Sequence, residues 1–307
     1  MKILIRQAVT MIIKTTLYSK MKKLLVLFTC LAGISACTSL PDNEEVAQPT
    51  DREWFRVSLE KTSDSDTKIF LNENYKIRWN KDDRVSVFNK TSYNRQYSFT
   101  GEDGDSSGTI KKVGTVFNTG VDISHVYAVY PYSAASHIGE EDEVLSLAFP
   151  GEQTYLENSF GRGANLMVSV SDGVDDNLYF KNAGGFFLFK LYGNDVTVSS
   201  IVLTGNDSEP LSGPAMVTAT LDSAPSVIMS PDASSSVALL CNPPVRLGED
   251  ADDYTSFYLV IPPTTFNNGF SLVITGEGGT FVKNSSKKLE VRRNAIVSMV
   301  PLKVSFD

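Results

Sequence analysis

Two histidines and three cysteines in 307 residues leave little of the side-chain chemistry on which catalysis most often runs. Bases are scarce too: 28 Lys and Arg face 36 Asp and Glu, a formal charge of −8. That balance repels the phosphates a nucleic-acid binder must neutralise, so no nucleic-acid partner is expected. The chain also lacks an apolar run long enough for a membrane-crossing helix. Nowhere does it sustain an apolar repeat of 3.6 residues with helix caps. It does have 42% hydrophobic and 10% aromatic residues, enough for packed cores.

The amino-terminal end carries the sharpest signal. Met21-Lys22-Lys23 precedes an apolar stretch, 24–33, which ends in Ile34-Ser35-Ala36-Cys37. This reads as a secretory signal closed by a lipobox, in which the Cys37 thiol receives a diacylglycerol and cleavage leaves a lipid-bearing terminus. An ordinary cleaved signal with Cys37 incidental is the other reading. Residues 1–20 are basic and partly apolar, and Met21 reads as the true start. Removing residues 1–36 takes away Lys2, Arg6, Lys14, Lys20, Lys22 and Lys23 and no acid, so 22 bases face 36 acids and the formal charge becomes −14. Such a surface avoids anionic headgroups and leaves the lipid to hold the protein at the membrane. Cys30 leaves with the signal and Cys37 takes the lipid. Cys241 is then alone in the apolar run 237–241, where it reads as a small core residue, and no disulfide framework is available. Residues 37–52, with Pro41, Asp42, Asn43, Glu44, Glu45 and Pro49, read as a lipidated tether.

From residue 53 the apolar period becomes two. Phe55, Val57 and Leu59 alternate with Arg56, Ser58 and Glu60, and Tyr75, Ile77 and Trp79 with Lys76, Arg78 and Asn80. The signature recurs at 85–87, 126–130, 145–149, 166–170, 186–191, 196–203, 215–221, 257–261, 270–274, 289–291 and 296–306. Turn clusters such as 101–104, 171–173, 205–207 and 267–269 separate them. Many short strands at this spacing predict an all-β chain of antiparallel sheets packed as sandwiches. The acidic loop 172–177 is the expected boundary between an amino-terminal sandwich, 53–174, and a carboxy-terminal one, 175–307.

Clusters with chemical potential have plainer readings. His125 adjoins a strand and His137 lies in a loop, with no nucleophile-elbow motif near either, so no catalytic residue is assigned. Asp172, Asp175 and Asp176, or Glu249, Asp250, Asp252 and Asp253, lack the fixed spacing of a calcium loop and read as solvated turns. The glycines at 101–108 share their loop with Glu102, Asp103 and Asp105, which would repel a phosphate; this is a hairpin loop. No metal and no cofactor are expected.

Ile77-Arg78-Trp79-Asn80-Lys81-Asp82-Asp83-Arg84-Val85-Ser86-Val87-Phe88 resembles a segment of the fimbrillin-like lipoproteins of Bacteroidota-type bacteria. Ala128-Val129-Tyr130-Pro131-Tyr132-Ser133, Pro150-Gly151-Glu152-Gln153, Asn165-Leu166-Met167-Val168, Leu178-Tyr179-Phe180-Lys181-Asn182-Ala183-Gly184-Gly185 and Phe257-Tyr258-Leu259-Val260-Ile261-Pro262-Pro263 follow in the family's order. The resemblance spans nearly all of the chain after the lipobox. It implies two tandem transthyretin-like β-sandwich domains and a role as subunit, tip or anchor of a surface pilus assembled by β-strand exchange. Its implied partners are other fimbrial subunits, the outer membrane through the Cys37 lipid, and a host glycan or protein.

Two segments have the alternation that strand exchange needs. Phe55, Val57 and Leu59 lie on the opening strand, which processed family members lose by proteolysis in the following loop. Leu302, Val304 and Phe306 lie at the chain end and are the candidate donor. Each segment also reads as completing its own sandwich. Processed members resemble one another in carrying an arginine in that first loop, whereas residues 61–68 here offer only Lys61 and Lys68. An unprocessed anchor or accessory subunit therefore stands beside a shaft subunit. Asp222-Ser223-Ala224 resembles the short O-glycosylation site of exported proteins in these bacteria, with Ser223 as acceptor, and reads equally as a plain turn. A glycan-binding surface lipoprotein is the alternative function, with Trp54, Tyr93, Tyr97, Tyr130 and Tyr132 as sources of an aromatic platform.

The lipobox reading predicts that Cys37→Ala leaves an unlipidated precursor that no longer enters the detergent phase on phase partitioning. Wild-type membrane retention of the variant would contradict it.

Overall fold

Alternating apolar residues produce strands throughout the computed structural model, which describes residues 52–60, 77–114, 122–139 and 143–306. The described residues fall in one compact unit. The first ten strands among the described residues are β1 (Trp54–Leu59), β2 (Arg84–Asn89), β3 (Ser92–Phe99), β4 (Ser107–Lys112), β5 (Val126–Tyr130), β6 (His137–Ile138), β7 (Val144–Phe149), β8 (Glu152–Thr154), β9 (Met167–Ser171) and β10 (Asn177–Asn182). They are followed by β11 (Gly185–Tyr192), β12 (Thr197–Gly205), β13 (Gly213–Thr218), β14 (Ser226–Met229), β15 (Ser236–Arg246) and β16 (Thr255–Ile261). The last six are β17 (Thr264–Phe266), β18 (Phe270–Gly276), β19 (Gly279–Ser285), β20 (Leu289–Val291), β21 (Ile296–Ser298) and β22 (Leu302–Lys303). No helix among the described residues is long and apolar enough to cross a membrane.

The all-β expectation holds, and the first sheet differs from an open sandwich layer in closing on itself. Its order is β1-β10-β9-β5-β2-β3-β4, with β4 returning to pair with β1. The acidic turn at 172–176 joins β9 to β10, which pair antiparallel, so residues 177–182 belong to this first sheet. The glycine-containing turn after Phe99 joins the antiparallel pair β3 and β4, as its hairpin reading required.

Inside the barrel, Phe55, Val57, Val85, Val87, Tyr97, Phe99, Ile110, Leu178 and Phe180 surround Trp79. The indole stacks on Phe99 at 5.4 Å and meets Tyr130 and Phe180 edge-on. The outer barrel wall is apolar too. Tyr127, Val129 and Val168 pack against Leu145, Leu147, Phe149, Ala215 and Val217 of the sheet β14-β13-β7-β6. Strand β5 is consequently buried on both faces, which explains its unbroken apolar run Val-Tyr-Ala-Val-Tyr.

A second core lies between the sheet of β16, β11, β21 and β22 and the sheet β19-β18-β12-β15-β8. Phe187, Phe189, Phe257, Phe266 and Phe270 fill it, with Cys241 at its margin. Burial pushes the Cys241 thiol up to about 11, away from the thiolate that reacts or binds metal. The other face of β11 and β16 carries Phe186, Leu188, Tyr258 and Val260 against Ala164, Ile77 and Phe160. Strand β11 therefore has core on both sides.

Two details hold these layers in register. Gln153 on β8 donates from Nε2 to the Val260 carbonyl at 2.6 Å and accepts the Val260 N–H at 2.9 Å, acting as a one-residue strand on β16. Gly185 lies where an added Cβ would run into the Arg292 carbonyl oxygen, so the segment before β21 can approach β11 closely only over glycine.

Candidate assembly site at the first and last strands

Strand β1 has partners on both edges. It runs parallel to β10, with Val57 opposite Leu178 and Leu59 opposite Phe180, and antiparallel to β4, with Phe55 opposite Ile110. Phe55 and Val57 are each 2% exposed inside the barrel, and Leu59 packs at its margin. Removing β1 would open the barrel along its whole length, leaving the facing edges of β4 and β10 unpaired beside an apolar slot. That is the geometry a donor strand fills.

Both ends of β1 are tied by charge. At the amino-terminal end, Arg52 pairs with Asp176, donates to the Gly173 carbonyl at 2.7 Å, and receives the Tyr97 hydroxyl on its own carbonyl. Glu53 meets Lys112 at 2.9 Å, and the Arg56 guanidinium lies 5.6 Å from the Trp54 ring. At the other end, Arg293 donates to both Glu60 oxygens at 2.6 and 2.8 Å and to the Asn182 carbonyl at 2.9 Å. The Asn182 N–H donates to Glu60 Oε2 at 3.0 Å. Glu60 and Arg293 are only 18% and 20% exposed in their side chains, so this two-pronged pair is shielded from water. Nothing in the spacing of two residues 233 positions apart announces it.

The last strand lies on the chain's own sheet. β22 pairs parallel with β11, Leu302 opposite Leu191, and the Val304 N–H donates to the Tyr192 carbonyl at 2.8 Å. Val304 is 1% exposed in the second core, with Leu302 and Phe306 half-buried against it. An added Cβ at Gly193 would collide with the Val304 carbonyl oxygen, so the seat of this strand is shaped around a bare backbone. The structure thus seats both segments on this chain's own sheets, at separate places: β1 in the barrel, β22 on β11.

Cys37, Lys61 and Lys68 lie outside the described residues. Ser223 sits exposed in the turn between β13 and β14, its carbonyl accepting from the Lys181 ammonium at 2.8 Å. His125 meets Ser124 Oγ at 2.7 Å, and His137 lies 3.3 Å from the Ala135 carbonyl. The acidic turns use their carboxylates locally: Asp172 accepts the Val174 N–H, and Asp250 accepts the N–H groups of Asp252 and Asp253. Hydrogen bonds from Asn177 hold the Asp175 carboxyl below its ordinary range. Among the described residues no group of three or more His, Cys, Asp or Glu is placed to hold a metal. Of the five aromatics that could have formed a glycan platform, Tyr97 and Tyr130 are core residues, at 0% and 6% exposure. They are therefore unavailable to a surface cluster with the exposed Trp54.

No family model matches the chain, and no curated protein matches it. Among solved structures it is similar to a protein ascribed to cell adhesion from Bacteroides ovatus, at 13% identity over 81% of this chain and 91% of that one, with a TM-score of 0.49. A second, from Bacteroides uniformis and ascribed likewise, shows 13% identity over 84% and 94%, with a TM-score of 0.46. A fimbrial protein of Bacteroides ovatus shows 12% identity over 83% of this chain and 50% of its own, with a TM-score of 0.32. At these scores the likenesses carry no weight for function.

The shielding of the Glu60–Arg293 pair predicts that a double-mutant cycle with Glu60→Ala and Arg293→Ala gives a coupling energy of about 1–3 kcal/mol. A value near the ~0.2 kcal/mol floor of exposed pairs would show that the end of β1 is not anchored there.

Proposed function

We propose that this chain is a cell-surface lipoprotein that serves as a structural, anchor or accessory subunit of a fimbria, associating with other subunits by β-strand exchange. The observation that carries this reading is the seat of β1. An alternating strand fills a slot between two strands of a closed barrel, and the vacated slot would present two unpaired backbone edges and an apolar floor to a donor from a neighbour. The charge ties at Arg52 and Glu60 favour a subunit that keeps its first strand, and the lipobox at Cys37 favours one held at the outer membrane, facing outward. An anchor or accessory position answers to both.

In this reading the role is structural: the chain catalyses nothing and takes no cofactor, and its adhesion target is a host glycan or protein. Its two halves are transthyretin-like sandwiches, one organised around Trp79 and the other around Phe187. The carboxy-terminal strand is kept on β11 in the lone subunit and is released to a neighbour on assembly.

Val304→Asp tests the reading, because it places a carboxylate in an apolar core at a cost of several kcal/mol. A variant that stays folded but loses the fimbrial proteins that co-purify with the wild type supports donation of this strand, whereas one that melts at a lower temperature and also fails to assemble supports a strand that only completes its own sheet. A stable variant that assembles normally removes the last strand from the account. Wild-type protein that recovers no fimbrial subunit from cells contradicts the function itself.

A further inference from the structure

The sheet β19-β18-β12-β15-β8 begins at β19, which pairs with β18 over its whole length, from Ser285 opposite Phe270 to Gly279 opposite Gly276. In an antiparallel pair, alternate residues turn their N–H and C=O groups away from the neighbour. On that far side residues 280–284 have no backbone partner among the described residues. Other margins are blunted. β14 has four residues and is followed closely by Pro231, β8 has three, and the outer edge of β16 takes Gln153 at Val260. β19 has seven residues, no proline and no shift of register against β18. An edge this long and regular is a template for a further strand.

The side chains of β19 specify the strand. On the outer face, Val282 stands opposite Val273, Val273 opposite Val202, and Val202 opposite Ala238. This apolar row crosses the sheet and ends in the open at Val282, which is 53% exposed. On the inner face Phe281 packs against the second core, and the next inward residue is Lys283, half-buried opposite Leu272. A lysine turned inward at a sheet margin repels indiscriminate strands. A carboxylate on the incoming strand at that place turns the repulsion into attraction. Lys287 and Lys288 follow just beyond the strand, both exposed, and among the described residues none of the three lysines has an ion pair. The edge is thus locally basic in a chain where acids outnumber bases. β1, β19 and β22 contain no acid, so a second copy donating one of these strands could not answer Lys283.

We propose that the free edge of β19 takes up an extended acidic segment of another protein as an added antiparallel strand. Its carboxylate lies beside Lys283, an apolar side chain beside Phe281 and a β-branched one beside Val282. The site stands whether or not β1 and β22 take part in strand exchange.

The test is a titration of the 15N-labelled mature chain with the peptide acetyl-Ser-Thr-Glu-Val-Leu-Thr-Ser-amide, followed at the amides of residues 280–284. Saturable shifts are expected, largest at alternate amides, where new hydrogen bonds form. The same peptide with lysine in place of glutamate should leave these amides unmoved. Lys283→Glu should exchange the two preferences, losing the glutamate peptide and gaining the lysine one. A second measurement needs no variant: methyl groups on alternate peptide nitrogens should abolish binding when they face the edge and spare it when they face away. Equal binding of the two peptides, no saturable shift at millimolar peptide, or equal binding of the two methylated forms would overturn the proposal. Dimerisation of the free chain with shifts at the same amides would assign the edge to a second copy and overturn it too.

Discussion

The pairing of β1 on both of its edges is the constraint on which the rest of the barrel depends. A seven-stranded sheet can close only if the strands at the two ends of its order pair with each other, and here β1 pairs with β4 while it holds β10 on its other edge. Closure encloses Trp79 among Phe99, Tyr130 and Phe180 and leaves no free edge in this sheet. One short segment thus carries the backbone bonds of two interfaces and two buried side chains of the core. Whatever took the place of such a strand would have to satisfy both edges at once.

The same strand is linked to the far end of the sequence. Glu60 reaches Arg293, and Asn182, bonded to both, accepts from Asn165 Nδ2 and donates to Asn294 Oδ1. Arg293 and Asn294 belong to the segment that Gly185 allows to lie close against β11, just before β21 and β22. These groups are mostly buried, so their value rests on every partner being present; withdrawing one strands the others. The ends of β1 are therefore more firmly set than its six residues alone would suggest.

Strands whose apolar residues face one core were legible in the sequence. Phe55 and Val57, or Leu272 and Ile274, alternate with polar neighbours because only one face is buried. The absence of helical periodicity gave the all-β class, and acidic or glycine-rich clusters marked the hairpins after β3 and β9. Other elements were hidden for physical reasons. In β3 the inward row includes Arg95, which breaks the apolar pattern, and β15 continues through Pro243 and Pro244, residues that argue against a strand. Closure was hidden as well, because the parallel partner of β1 lies some 120 positions away and no local pattern encodes it. The candidate residues Phe55, Val57, Leu302 and Val304 could be found by alternation. The ties that hold them, Arg52 to Asp176 and Glu60 to Arg293, could not, since isolated charges on strand ends look alike whether paired or solvated.

Hydrogen exchange of the intact mature chain tests the central claim most directly. If β1 closes the barrel, its amides at residues 55–59 exchange only with the global opening that releases the amides of β5, and they share its dependence on denaturant. Exchange of β1 orders of magnitude ahead of β5, by an opening that needs no denaturant, would show a loosely applied strand and contradict the account.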